Sequence, residues 1–118
     1  MPTIKKYTLE HEFGAEIDVE VDHDILTPEV LTEFVMFWGD GAEKLAEYGP
    51  LHAFLRNFAV AFLVEAITSI SPSDSFNRGC VEGYPAVDGS TGLRVLHYDV
   101  FDFDSADVDV RERAARAA

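Results

Sequence analysis

The sequence is short of several things, and each shortage excludes something. It has one cysteine, Cys80, so no disulfide can close within the chain, and a reducing compartment is expected. It has 9 Lys and Arg against 22 Asp and Glu, a formal net charge of −13. So few cations argue against direct contact with a nucleic-acid backbone or an anionic membrane surface, both of which need clustered Lys and Arg. The opening MPTIKKYTLEHEF contains no apolar signal-peptide core, which makes the cytoplasm the expected location.

Reaction motifs are missing as well. There is no Gly-x-Ser-x-Gly elbow, no Walker-type loop and no dinucleotide fingerprint. Asp102-Phe103-Asp104 starts like a calcium loop, but Ala106 stands at position five, Asp107 where glycine belongs and Arg113 where the closing glutamate belongs. His11, His23, His52 and His97 show no metal-ligand spacing among themselves or with Cys80. His11 and His97 fall on expected strands that could meet across a sheet. His23, between Asp22 and Asp24, is a weak metal candidate. For each histidine an exposed or hydrogen-bonded structural role is preferred. Cys80 follows Arg78-Gly79 with no base nearby in the sequence, so it is read as an ordinary small residue. No catalytic, cofactor-binding or metal-ligating residue is assigned, no cofactor is expected, and an enzyme is not the leading expectation.

What is present is one domain's worth of chain: 118 residues, 47 % of them apolar, enough to bury a core without a staple. The organising stretch is Leu51–Ile70, LHAFLRNFAVAFLVEAITSI, bounded by Gly49-Pro50 and Ser71-Pro72. It has no internal Gly or Pro and is too long for a strand, so a helix is predicted. Twenty helical residues span roughly 30 Å. The length suits a membrane span, but Arg56 and Glu65 lie inside it, so the membrane reading is set aside. Val60 and Val64 make it apolar on sides beyond the one set by Phe54, Leu55, Phe58, Phe62 and Leu63. A helix of that kind is covered on most sides, and a homodimer is expected to supply part of the cover.

Upstream, Tyr7, Leu9, His11 and Phe13 alternate with polar residues, and so do Ile17, Val19 and Val21 after Gly14-Ala15. That predicts a β-hairpin over Ile4–Asp22. A three-residue turn would pair Phe13 with Ile17, His11 with Val19 and Leu9 with Val21, giving one apolar face. It would also set Glu12 opposite Asp18 and Glu10 opposite Glu20. Like charges across a pair destabilise by roughly 0.2–1 kcal/mol each; weak repulsion between exposed charges in salt is the slightly preferred explanation of the ladder, and a surface kept for a partner is the alternative. Thr27-Pro28-Glu29 opens a helix with Val30, Leu31, Phe34, Val35 and Trp38 on one side. A short helical stretch over Ala42–Tyr48 comes next. Residues 71–92 are expected to be a long loop, with a short strand over Cys80–Glu82, and Asp88-Gly89-Ser90 a turn within it. Leu93–Val100 is the third strand, with Leu96, Tyr98 and Val100 on one face and Leu93, Val95 and His97 on the other. The run to Asp109 is acidic, and residues 1–3 and 105–118 are expected to fray.

The expected fold is α+β: a three- or four-stranded antiparallel sheet, made of the N-terminal hairpin and the C-terminal strand, against two or three helices. The candidate interaction face is Glu10, Glu12, Asp18, Glu20, Asp102, Asp104, Asp107 and Asp109. A candidate loop site comprises Tyr84, Asp88 and Ser90.

The hairpin running into VDHDILTPEVLTEFVMFW, the apolar helix and VEGYPAVDGSTGLRVLHYDV occur together. Within them Phe37-Trp38 and Glu82-Gly83-Tyr84-Pro85, with Asp88-Gly89-Ser90, are the distinctive motifs. From Tyr7 to about Asp104 the chain resembles a small family of uncharacterised bacterial proteins, a domain of unknown function whose genes lie on plasmids and other mobile elements. The resemblance implies a cytoplasmic accessory protein and supplies no catalytic residues. The leading functional expectation is a non-enzymatic acidic protein that binds a basic protein surface, in one version by mimicking nucleic acid. The alternatives are a small-molecule binder or enzyme using the 71–92 loop, and a structural homodimer without a ligand.

Overall fold

The structure is a computed structural model that describes residues 3–12, 14–99 and 105–113. Its elements in order are β1 (Ile4–Glu10), β2 (Glu16–Asp22), α1 (Pro28–Met36), α2 (Gly41–Thr68), α3 (Pro72–Asn77), β3 (Leu93–Asp99) and a single 3₁₀ turn at Ser105–Asp107. The three strands form one antiparallel sheet in the order β1-β2-β3, with helices over its inner face, so the class is α+β.

Helix α1 begins where Thr27-Pro28 requires. The Thr27 hydroxyl accepts from the Val30 N–H at 3.4 Å, and Pro28 fills a position whose own N–H would have no partner. The break expected at Gly49-Pro50 is a kink within α2. Gly49 adopts φ 79° and ψ 169°, a conformation open to glycine, and Pro50 restarts the helix. The helix stops at Thr68, two residues short of the expected end.

The core face of α2 is aromatic. Phe54, Phe58 and Phe62 are fully buried; Phe58 meets Phe76 edge-on at 5.3 Å and Phe62 meets Tyr98 at 5.0 Å. Ile17, Val19 and Val21 of β2 and Leu93 of β3 close the core from the sheet side. Burying one such side chain contributes about 1.5–3 kcal/mol. No polar or charged residue is buried among those described. By length and composition α2 could cross a membrane, but seven of its residues, Gly41, Ala53, Phe54, Leu55, Phe58, Phe62 and Leu63, are buried inside the fold.

Four expectations are corrected. First, the hairpin pairs Leu9 with Ile17, Tyr7 with Val19 and Lys5 with Val21, joined through residues 11–15; Phe13 lies outside the described residues. The connection is closed by His11 N–H to the Ala15 carbonyl at 2.8 Å and Gly14 N–H to the His11 carbonyl at 2.9 Å. Moving each pair by an even number of residues keeps the same side chains inward, so alternation alone could not separate the two registers. Second, a bulge between Asp18 and Val19 breaks the alternation of β3. Leu93, Val95 and Tyr98 pack on the core, while Leu96 and His97 are exposed. Val100 lies outside the described residues. Third, residues 71–92 contain α3, and no strand forms at Cys80–Glu82. The reason is Ser71-Pro72 at a helix start and Phe76, which is buried against Phe58 and Phe62. Fourth, His11 sits beyond the end of β1, and β2 separates that edge from His97 on β3, so the two do not meet across the sheet.

Candidate interaction surface

The outward face of the sheet carries the even-numbered residues of β1 and β2, and the register sets them in rows. Toward one end, inside the terminal Ile4–Asp22 pair, lies Lys6–Glu20–Arg94, a carboxylate between two cations. Next comes Thr8–Asp18–His97, in which the Thr8 hydroxyl donates to Asp18 Oδ1 at 2.8 Å. At the other end lies Glu10–Glu16–Asp99, three carboxylates on three neighbouring strands. His97 Nε2 lies 3.5 Å from Asp99 Oδ1, a pair that attracts when the imidazole is protonated.

The expected acidic ladder is therefore corrected. Glu12 does not oppose Asp18, and Glu10 does not oppose Glu20. Two like-charge pairings are avoided, and one row of acids stands where the sheet ends. Glu12 adds an exposed carboxylate in the turn beside that row. Glu16, outward by alternation but absent from the expected face, sits at the centre of the row. Of the remaining candidates, Asp102 and Asp104 lie outside the described residues, Asp107 ends the 3₁₀ turn and Asp109 is exposed beyond it.

The loop candidates separate. Tyr84 lines an open groove of about 440 Å³ along α2, and its hydroxyl donates to the Asn57 carbonyl at 3.2 Å. Its phenol is pushed above the usual range by burial first and the Asp40 carboxylate second. Asp88 and Ser90 do not line that groove. They form a turn with each other, the Ser90 hydroxyl donating to Asp88 Oδ1 at 2.6 Å and the Ser90 N–H at 2.9 Å. Those bonds, with Arg94 adding its charge, hold the Asp88 carboxyl below the usual range. Gly83 is required beside Tyr84: its φ is 86°, and a Cβ there would stand 2.9 Å from both the Phe37 and Trp38 rings.

A second groove, about 330 Å³, runs between β1 and α2 and is lined by Leu9, Glu10, His11, His52, Leu55 and Arg56 among others. The Arg56 guanidinium lies 4.1 Å over the Tyr48 ring. His23 Nε2 and the Tyr7 hydroxyl share a hydrogen bond of 2.8 Å, and Cys80 is exposed. Among the described residues no three His, Cys, Asp or Glu side chains gather as a metal site would need.

Comparison with known proteins bears on this arrangement. The family described as "Protein of unknown function (DUF2528)" matches residues 16–110. The chain belongs to this family. Similar proteins include "Lambda prophage-derived protein ea10" of Escherichia coli and "Protein ea10" of Escherichia phage lambda. Each is 34 % identical over 120 aligned positions covering 94 % of this chain and 98 % of the relative. No solved structure matches. The family resemblance seen in the sequence is thus established, and its mobile-element character appears in the phage and prophage origin of these relatives. The family match takes in β2, all three helices and β3, and hence Glu16 and Asp99, but not β1 with Glu10.

Proposed function

We propose that the protein is a non-enzymatic interaction protein whose acidic sheet end docks onto a basic protein surface. The observation that supports this is the row Glu10–Glu16–Asp99. Neighbouring strands stand roughly 4.8 Å apart, so three fixed negative charges are held close together, and like charges so placed cost stability. Lys6 and Arg94 could have relieved them but stand opposite Glu20 in the register, toward the other end of the sheet. The charge is segregated, with the mixed row acting as an internal contrast.

The phage and prophage relatives give the partner a context. Proteins that handle nucleic acid present clustered Lys and Arg, and a rigid array of carboxylates can occupy such a surface in place of phosphates. The partner is then a basic, nucleic-acid-binding protein of host or element, and the site is cytoplasmic.

Affinity capture with the tagged full chain, followed by titration of the captured partner, tests this. Binding is expected to weaken steeply with salt and to be lost in Glu10→Lys/Glu16→Lys, while Glu20→Lys retains it. Equal binding by the unchanged chain and both variants removes the proposal.

A further inference from the structure

We propose that the open groove on the outward side of α2 receives a cationic amphipathic helix from a partner protein. This does not depend on the sheet proposal, because the acidic row faces away from the helix layer.

Val60, Val64 and Ile67 recur at helical spacing on one side of α2 and are 56 %, 56 % and 53 % exposed. β-branched residues are mediocre helix formers, and none of these three belongs to the packed core. Among the described residues this aliphatic ridge is not part of the core or of the residues packed against it. A contiguous exposed apolar strip is the mark of a contact surface.

Beside the ridge lies the 440 Å³ groove, with Val60 and Val64 on one side and the rings of Trp38 and Tyr84, 5.7 Å apart, on the other. Tyr84 is anchored to the Asn57 carbonyl, so this wall is fixed before a ligand arrives. The charge of the groove selects the occupant. Asp40, Glu65 and Glu82 line it. Among the described residues its one cation, Lys44, is engaged by Asp40 at 3.3 Å and by the Asn57 side-chain oxygen at 2.8 Å. The lining thus combines Trp38, Val60, Val64, Val81 and Tyr84 with three carboxylates, which fits a helix with apolar anchors at i, i+3, i+4 and i+7 flanked by Lys or Arg. A second copy of the chain fits less well, since it would bring another −13 charge and the same three carboxylates.

Trp38 is the sole tryptophan and lies in the groove, so its emission reports occupancy directly. The probe is a Leu/Lys peptide of four or five helical turns patterned for one apolar face. Its controls are a scrambled peptide of the same composition and a Leu/Glu peptide with the same pattern. The patterned Leu/Lys peptide is expected to shift Trp38 emission to the blue and to saturate at one per chain. Val64→Asp, and separately Glu65→Lys/Glu82→Lys, should each weaken binding about tenfold or more, with far-ultraviolet circular dichroism confirming the fold. Glu10→Lys/Glu16→Lys should leave binding within about twofold of the unchanged chain. Unmoved Trp38 emission, equal binding of the scrambled or Leu/Glu peptide, or self-association abolished by Val64→Asp would each overturn the proposal.

Discussion

The inward and outward sides of this molecule use the same elements for different ends. Inward, α2 presents Phe54, Phe58 and Phe62, and the sheet presents Ile17, Val19, Val21 and Leu93, all buried. Outward, the same helix presents Val60, Val64 and Ile67 in the open, and the same sheet presents graded rows of charge. The inward side offsets the entropy lost on folding through burial. The outward side does little for folding, and its acidic row acts against it. Residue type alone does not separate the two sides: valine serves both, and geometry decides which role it has.

Substitutions should split along this divide. The largest effect is expected inside. Phe58→Ala removes a ring in contact with Phe54, Phe62, Phe76 and Tyr84 and should cost about 3–5 kcal/mol in denaturant unfolding. Val64→Ala should change stability by less than about 0.5 kcal/mol. Comparable losses would erase the distinction.

Next come the two charged rows, where substitutions of the same kind should have opposite signs. Glu16→Lys places a cation between Glu10 and Asp99 and should stabilise by roughly 0.2–1 kcal/mol per pair relieved; Glu20→Lys places a third cation between Lys6 and Arg94 and should destabilise by a similar amount. High salt should shrink both effects, since Glu16 and Glu20 are partly exposed and their cross-strand neighbours exposed. Shifts of the same sign would mean that the rows do not sense their cross-strand neighbours.

The smallest effects are in pH dependence. The Tyr84 phenol titrates higher folded than unfolded, because of burial first and Asp40 second. Its contribution is therefore complete below the unfolded phenol value and lost as pH rises through the folded one. Tyr84→Phe should flatten the alkaline decline in stability. Asp88 has the opposite sign: held low chiefly by Ser90, it contributes above the unfolded carboxyl value and loses that contribution as pH falls through the folded one. Asp88→Asn should flatten a shallow part of the acid decline, and an unchanged slope would show that the turn adds nothing.

Much of the fold could be read from local chemistry. Thr27-Pro28 marked the start of α1, Gly49-Pro50 the kink in α2, and alternation the strands. Features that depend on pairing between distant segments could not be read this way. Period-two alternation fixes which residues face the core but not which partners they meet, so Glu20 could be set against Glu10 as readily as against Lys6. The bulge that turns His97 outward depends on the fit of β3 to β2. Helix α3 was obscured because Ser71-Pro72 reads equally as a stop for α2 and as the start of a new helix. The candidate surface was half legible for the same reason: its acidity showed in composition, but the row Glu10–Glu16–Asp99 exists only once three strands are aligned.

The proposed function requires that this acidic row, rather than overall negative charge, recognises a partner. The most direct test is to titrate the captured basic partner against Glu16→Lys and Glu20→Lys side by side, since each changes the net charge by the same amount. Glu16→Lys is expected to weaken binding by about tenfold or more, while Glu20→Lys stays within about twofold of the unchanged protein. Equal losses from both would mean that only net charge is sensed and would overturn the proposed function.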